Sequence, residues 1–193
     1  MSREEMTVYL DTVAALRITV FSEFPYLYDG DMDYERRYLS SYLESENAII
    51  VGAWAGPQLV GVSTGTPMED HAEDFADALK NAGVGISRTF YCAESVLLPE
   101  YRGQGIGARF FDEREAHALA IGRTWSAFCS VIRPDDHPER PADYAPLDKF
   151  WKRRGYRPMP GCIAKFAWKD HEDTRETVKS LQFWIRNLRT PTP

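Results

Sequence analysis

The sequence predicts a mixed α/β fold, with helices packed on a sheet of mostly antiparallel strands. Three observations carry this expectation. Two stretches of helical spacing precede the first strand-like run. Two hairpin-like pairs of runs follow, one at 48–63 and one that closes the chain. Between them, residues 88–132 read strand, glycine turn, helix, strand. This order differs from the regular βαβαβ alternation of a parallel, doubly wound sheet.

The first helix is expected over 8–24, where Tyr9, Val13, Leu16, Val20 and Phe24 recur at helical spacing up to Pro25. Pro25 to Asp33 mixes aromatics and acids around a glycine and reads as a loop. Asp33 then caps a second helix through about Glu46, with Tyr34, Tyr38 and Tyr42 on one side. Residues 48–54 and 58–63 form a hairpin across Ala55-Gly56-Pro57. The acidic, alanine-rich stretch 69–83 reads as a surface helix, and 88–98 as a strand.

A helix follows the glycine turn, marked by Ile106, Phe110, His117 and Ile121. Gly122 breaks it, and 124–132 reads as a buried strand. The Pro-, Asp- and Arg-rich stretch 133–143 is a loop before a short helix, Tyr144 to Arg154, which Gly155 caps. Cys162–Trp168 and Leu181–Leu188 pair through the polar loop 169–178. With neither repeat nor linker, the 193 residues are expected to form one domain, 1–193.

Composition narrows the function. The net charge of -6 argues against a nucleic-acid partner. The N-terminus lacks a signal-peptide core, and no apolar run nears the roughly 18 residues that span a bilayer. Cys92, Cys129 and Cys162 form no C-x-x-C pair, which points to a reduced, cytoplasmic setting. Cys92 and Cys129 read as core residues rather than nucleophiles. His71, His117, His137 and His171 show no metal-ligand spacing, so no metal is expected.

The most informative stretch is Val96-Leu97-Leu98-Pro99-Glu100-Tyr101-Arg102-Gly103-Gln104-Gly105-Ile106-Gly107-Ala108. A strand, a glycine turn and a helix start aim backbone N–H groups and a positive helix end at an anion. Gly103 to Ala108 also satisfies the dinucleotide pattern G-x-G-x-x-A. That pattern further requires an acid at the end of the next strand, to hold a ribose. Residues 125–132 contain none.

The same residues resemble motif A of the GNAT superfamily of N-acetyltransferases, Q/R-x-x-G-x-G/A, with Arg102, Gly105 and Gly107 at its defined positions. Phe150-Trp151-Lys152-Arg153-Arg154-Gly155-Tyr156 is similar to the end of the family's motif B. The resemblance implies the acyl-CoA N-acyltransferase fold, a three-layer structure whose central sheet is splayed at the cofactor site. The family's usual first strand is missing here. The implied co-substrate is acetyl-CoA: Val96, Leu97 and Leu98 offer backbone to pantetheine, and Arg102 through Ala108 hold the pyrophosphate. Arg109, Lys152, Arg153 and Arg154 are candidates for the adenosine phosphates, and Trp151 for packing on the cofactor.

The implied chemistry is direct attack by an amine on the thioester. Glu94, an acid in an apolar strand near the expected thioester, is the candidate base, with a pKa raised by burial. A bulge would change the face on which it lies. Many family members place a tyrosine four residues before the motif B glycine, as proton donor. That slot is Trp151 here, which cannot deliver a proton as a phenol does, and Tyr144 is the substitute candidate. The family's loop between the first two helices lines the acceptor side. Here it holds Tyr26, Tyr28, Asp29, Asp31 and Asp33, which suit a cationic primary amine of a small molecule or a protein. The alternative is a non-catalytic acyl-CoA-binding or sensing module on the same fold. Phe183-Trp184-Ile185, in the closing strand, is a candidate homodimer contact.

Overall fold

Ser2 and Glu5 begin the first helix before any hydrophobic periodicity is visible. In the computed structural model, which describes residues 1–71 and 73–190, the Glu5 amide donates to the Ser2 hydroxyl at 3.1 Å. The Glu5 carboxylate in turn accepts from the Ser2 amide at 2.7 Å. This reciprocal capping box starts helix α1 at Arg3, five residues ahead of the expected start, and α1 ends at Phe21. Asp31, not Asp33, caps helix α2 (Met32–Glu44) by accepting from the Tyr34 amide at 2.7 Å.

The strands are β1 (Ile49–Ala55), β2 (Gln58–Pro67), β3 (Thr89–Leu97), β4 (Trp125–Val131), β5 (Arg157–Trp168) and β6 (Thr177–Asn187). Helices α3 (Glu73–Asn81), α4 (Ile106–Ala120) and α5 (Asp148–Arg153) complete the chain. The helix expected over 144–154 is therefore confined to its last turns, and the closing hairpin is longer than its apolar residues suggested.

The six strands form one mixed sheet in the order β1-β2-β3-β4-β6-β5. Only β3 and β4 run parallel. Helices α1 and α2 cover one face with Met6, Val13, Leu16, Leu39 and Tyr42 against Val62 and Val96. Leu79 of α3 packs on the same side with Tyr91, Cys129 and Phe183. On the opposite face, Phe111 and Ala118 of α4 meet Phe90, Phe128 and Trp184, with Phe150 and Trp151 of α5 beside them. The result is three layers.

Strand β6 lies inside the sheet, between β4 and β5, so Phe183, Trp184 and Ile185 are buried in the core. The expectation that they meet a partner is corrected: their alternation marks a central strand, not an exposed one. Cys92 and Cys129 are core residues, as expected. Among the described residues, no helix is long and apolar enough to cross a membrane.

Candidate functional site

The site is built on a fork in the sheet. Parallel pairing joins Thr89–Tyr91 to Trp125–Ala127 and then stops, although β3 runs on to Leu97 and β4 to Val131. Beyond Tyr91 and Ala127 the two strands part, so the β3 backbone on that side lacks a ladder partner. This is the expected splay.

A bulge sets which side chains face which layer. Cys92 pairs with Gly65 and Ser95 with Ser63, so Ala93 and Glu94 together oppose Thr64. Before the bulge, Cys92 lies among the α4-side residues. After it, Glu94 and Val96 lie on the α1–α2 side. Arg114 of α4, 1% exposed, holds the bulge in place. Its guanidinium donates to the carbonyls of Glu94 at 2.9 Å and Thr64 at 3.1 Å, and to the Ser95 hydroxyl at 2.8 Å.

Register also corrects the backbone groups expected to meet pantetheine. The Leu98 amide donates to the Val60 carbonyl at 3.0 Å. By antiparallel alternation Val96 and Leu98 therefore turn their N–H and C=O groups to β2, and Ser95 and Leu97 turn theirs to the fork. Of the three expected residues, only Leu97 offers backbone there.

The fork ends at the glycine turn. Gly103 and Gly105 have φ of 75° and 84°, the left-handed region that an L side chain enters at a cost. A Cβ at Gly103, Gly105 or Gly107 would meet nothing within 4 Å, so the turn presents open backbone. Gly105 is also the N-cap of the 15-residue helix α4; the Ala108 amide turns back to the Gly105 carbonyl at 3.0 Å, and the amides of Ile106 and Gly107 stand at the helix head. Arg102 closes the turn onto β3, donating from Nε to the Leu97 carbonyl at 3.1 Å and pairing with Glu23 at 2.8 Å. Exposed amides, a positive helix end and room for close approach fit an anionic pyrophosphate at Arg102–Ala108. Arg109 is exposed and pairs with Glu113 at 3.6 Å. Lys152 and Arg153 are exposed. Arg154, by contrast, ties α5 to α4 through Asp112 at 2.7 Å and Glu115 at 3.1 Å, and so is not free for a phosphate.

Glu94 sits at the fork but not in the electrostatic state its sequence suggested. One carboxylate oxygen faces Arg17 at 2.9 Å and accepts from Tyr42 at 3.3 Å and from Tyr38; the other accepts from Thr64. Burial alone would raise its pKa, but Arg17, Thr64 and Tyr38 outweigh that and hold it below the ordinary value. The expected rise is therefore corrected to a fall. Arg17 also pairs with Glu35, which is 0% exposed. Sequence reading missed Arg17, Glu35 and Arg114; the signal was a charged residue on the buried face of each helix.

In the loop expected to meet the acceptor, Tyr26 packs on Phe21 and Trp168, with ring centroids 4.4 and 5.9 Å away. Burial and the neighbouring Glu35 carboxylate push the Tyr28 hydroxyl well up. The aspartates have internal work: Asp29 pairs with Lys169 at 2.5 Å, Asp31 caps α2, and Asp33 pairs with Arg36 at 2.8 Å. Each of these acids thus has a structural partner of its own beside the aromatic rings of Tyr26 and Tyr28. Tyr144 lies on the 132–147 segment, its ring edge-on to Phe24 at 4.7 Å and under Arg140 at 5.1 Å. Burial raises its pKa. Trp151 packs on Phe128 and Trp184 at 5.0 and 5.1 Å, on the α4 side of the sheet.

No family model and no curated protein matches the chain. Solved structures do. The ribosomal-protein-alanine N-acetyltransferase of Brucella melitensis superposes with a TM-score of 0.62 at 12% identity, covering 97% of this chain and 96% of that one. An aminoglycoside 6'-N-acetyltransferase complexed with coenzyme A gives 0.58 at 13% identity, over 96% and 93%. A structure from Desulfovibrio desulfuricans described as an acetyltransferase of the GNAT family gives 0.58 at 13% identity, over 93% and 94%.

Proposed function

With the fold of the GNAT-family acetyltransferases as premise, we propose that this chain is an acetyl-CoA-dependent N-acetyltransferase acting on a primary amine. The observation that carries the reading is the β3–β4 fork ending in the open glycine turn at the head of α4. The neighbour complexed with coenzyme A supports the same co-substrate. In this reading the pyrophosphate lies in the Arg102–Ala108 turn on the amides between its ends, since the Arg102 and Ala108 amides donate to the Pro99 and Gly105 carbonyls, and pantetheine runs along the Leu97 and Ser95 backbone. The acceptor approaches from the aromatic side, past Tyr26, Tyr28 and the loop carrying Asp29 and Asp31.

The amine nitrogen attacks the thioester carbonyl, the C–S bond breaks, and the amine's proton leaves as the CoA sulfur is released. Glu94 is the candidate proton acceptor, but its donors make it a weak base. A proton reaches it by way of the half-buried Tyr38 hydroxyl, which already donates to it. Tyr144, kept protonated by its raised pKa, is the candidate donor to the sulfur.

Calorimetric titration with acetyl-CoA tests the first half, and absence of binding at high micromolar concentration would sink it. Thiol release across a panel of primary amines tests the second half. Binding without turnover on any amine would favour a non-catalytic acyl-CoA-binding module.

A further inference from the structure

We propose that Arg133, with Asp170, is a positioning residue for the acceptor: it fixes the Pro25–Tyr26 backbone across the mouth of the fork. The inference rests on the acetyltransferase reading above.

Arg133 stands two residues past the end of β4, and its side chain is 10% exposed. Its guanidinium makes four hydrogen bonds. Nε donates to the Pro25 carbonyl at 2.7 Å, and one terminal nitrogen donates to the Tyr26 carbonyl at 2.7 Å. The remaining two go to the Asp170 carboxylate, at 2.7 and 3.1 Å. Trp168 Nε1 adds a further bond to the Tyr26 carbonyl, at 3.0 Å.

Carbonyls in an irregular loop have no ladder to satisfy them, and a planar, permanently charged fork can hold two of them and a carboxylate at once. Asp170 is held in turn by Lys179 at 3.1 Å. The loop is also stitched to the chain just past the end of β5: the Asp29 amide donates to the Lys169 carbonyl at 2.8 Å, and the His171 amide to the Leu27 carbonyl at 3.0 Å.

What gives the clamp a functional reading is where the loop's two ends are tied. Glu23 pairs with Arg102, in the turn after β3. Pro25 and Tyr26 are tied to Arg133, just after β4. Residues 23–26 therefore span the gap where the two strands have stopped pairing. The β3-side tie is open to water, at 44% and 41% exposure, whereas the Arg133–Asp170 tie is buried at 10% and 12%. Arg133 is thus the firm anchor of a wall that presents Phe24 and Tyr26 to the acceptor side.

The test compares wild type, Arg133→Gln, Arg133→Lys and Asp170→Asn. The measurements are melting temperature, acetyl-CoA affinity by calorimetry, and kcat and KM by thiol release. The amine is the fastest among a polyamine, an aminoglycoside, free lysine and an alanine-terminated peptide. In folded Arg133→Gln, the amine KM is expected to rise about tenfold or more, with acetyl-CoA affinity within about twofold and kcat less affected; Arg133→Lys recovers part of the loss. A purely structural role would lower the melting temperature and leave the amine KM in place. If Arg133→Gln does not fold, Asp170→Asn carries the same comparison, and failure of both to fold overturns the inference. An active wild type with unchanged amine KM in the folded variants overturns this inference alone. A wild type that acetylates no amine overturns the acetyltransferase reading, and this inference with it.

Discussion

Arg17 and Glu94 face each other at 2.9 Å inside the protein, with side chains only 7% and 8% exposed. The pair joins α1 to the bulge of β3, and Glu35 of α2 completes it by accepting from Arg17 Nε. The guanidinium also lies over Tyr38 at 4.5 Å and Phe21 at 5.0 Å. Burial opposes its charge, but Glu94, Tyr38 and Glu35 override burial and hold Arg17 protonated. One cation thus neutralises one of two enclosed carboxylates, and the three elements that meet at the fork share a single electrostatic centre.

Removing that cation leaves Glu35 and Glu94 buried without a counter-ion. Breaking a buried pair from one side typically costs about 3–5 kcal/mol, most of it from the charge left behind. Arg17→Met is therefore expected to lower unfolding free energy by about that amount, as read from a denaturant midpoint at neutral pH. A loss below about 1 kcal/mol would show that the carboxylates find water or protons at little cost.

The Glu94 carboxylate also makes stability depend on pH. Its folded pKa lies below the ordinary value of 4.5. A depressed carboxylate stabilises the fold above its unfolded pKa, and that contribution fades as pH falls through the folded pKa. The melting-temperature gap between wild type and Glu94→Gln should therefore be widest near neutral pH and shrink once pH drops below about 4.5. A gap that stays constant down to pH 3 would place the Glu94 contribution in its shape and hydrogen bonds, not its charge.

The fork and its turn were legible because each has a local signature. The apolar run into Pro99, the glycines at 103, 105 and 107, and the helical spacing after them all lie within one short stretch. Which β3 amides face the fork was not legible, since that parity depends on register with β2 and on the Ala93–Glu94 bulge. The roles of Asp29, Asp31 and Asp33 were hidden for a related reason. Lys169 is 140 residues from Asp29, and a cap is distinguished from a ligand-binding acid only once the helix start is fixed. The direction of the Glu94 pKa shift was hidden as well, because it is set by Arg17, Thr64 and Tyr38, contributed by three other elements.

Gly105 and Gly107 are expected to respond to alanine with opposite signs. Gly105 has a φ of 84°, where a Cβ costs about 1–2 kcal/mol, so Gly105→Ala should lower the melting temperature. Gly107 lies inside α4 with nothing within 4 Å of a Cβ, so Gly107→Ala should raise stability by up to about 1 kcal/mol through helix propensity. The resembled motif accepts glycine or alanine at that position, so acetyl-CoA affinity in Gly107→Ala should stay within about twofold. A tenfold loss there would place the phosphates closer to the first turn of α4 than the motif implies.

Proton delivery to the departing sulfur gives the last test. Trp151 packs against both Phe128 and Trp184 and carries no hydroxyl, whereas Tyr144 sits beside Phe24 with its pKa raised above the ordinary 10.0. A tyrosine in that state stays protonated through neutral and mildly alkaline pH. A general acid usually contributes about 10²–10⁴-fold, but a thiol of pKa near 8.5 departs readily as thiolate, so the contribution here should lie below that range. Tyr144→Phe is therefore expected to lower kcat by about tenfold while leaving acetyl-CoA affinity unchanged. Because burial raises the Tyr144 pKa above its ordinary value, loss of the Tyr144 proton should cause no fall in wild-type kcat through neutral and mildly alkaline pH. Unchanged kcat in Tyr144→Phe would assign protonation of the thiolate to water, and Tyr144 to the aromatic wall that it forms with Phe24.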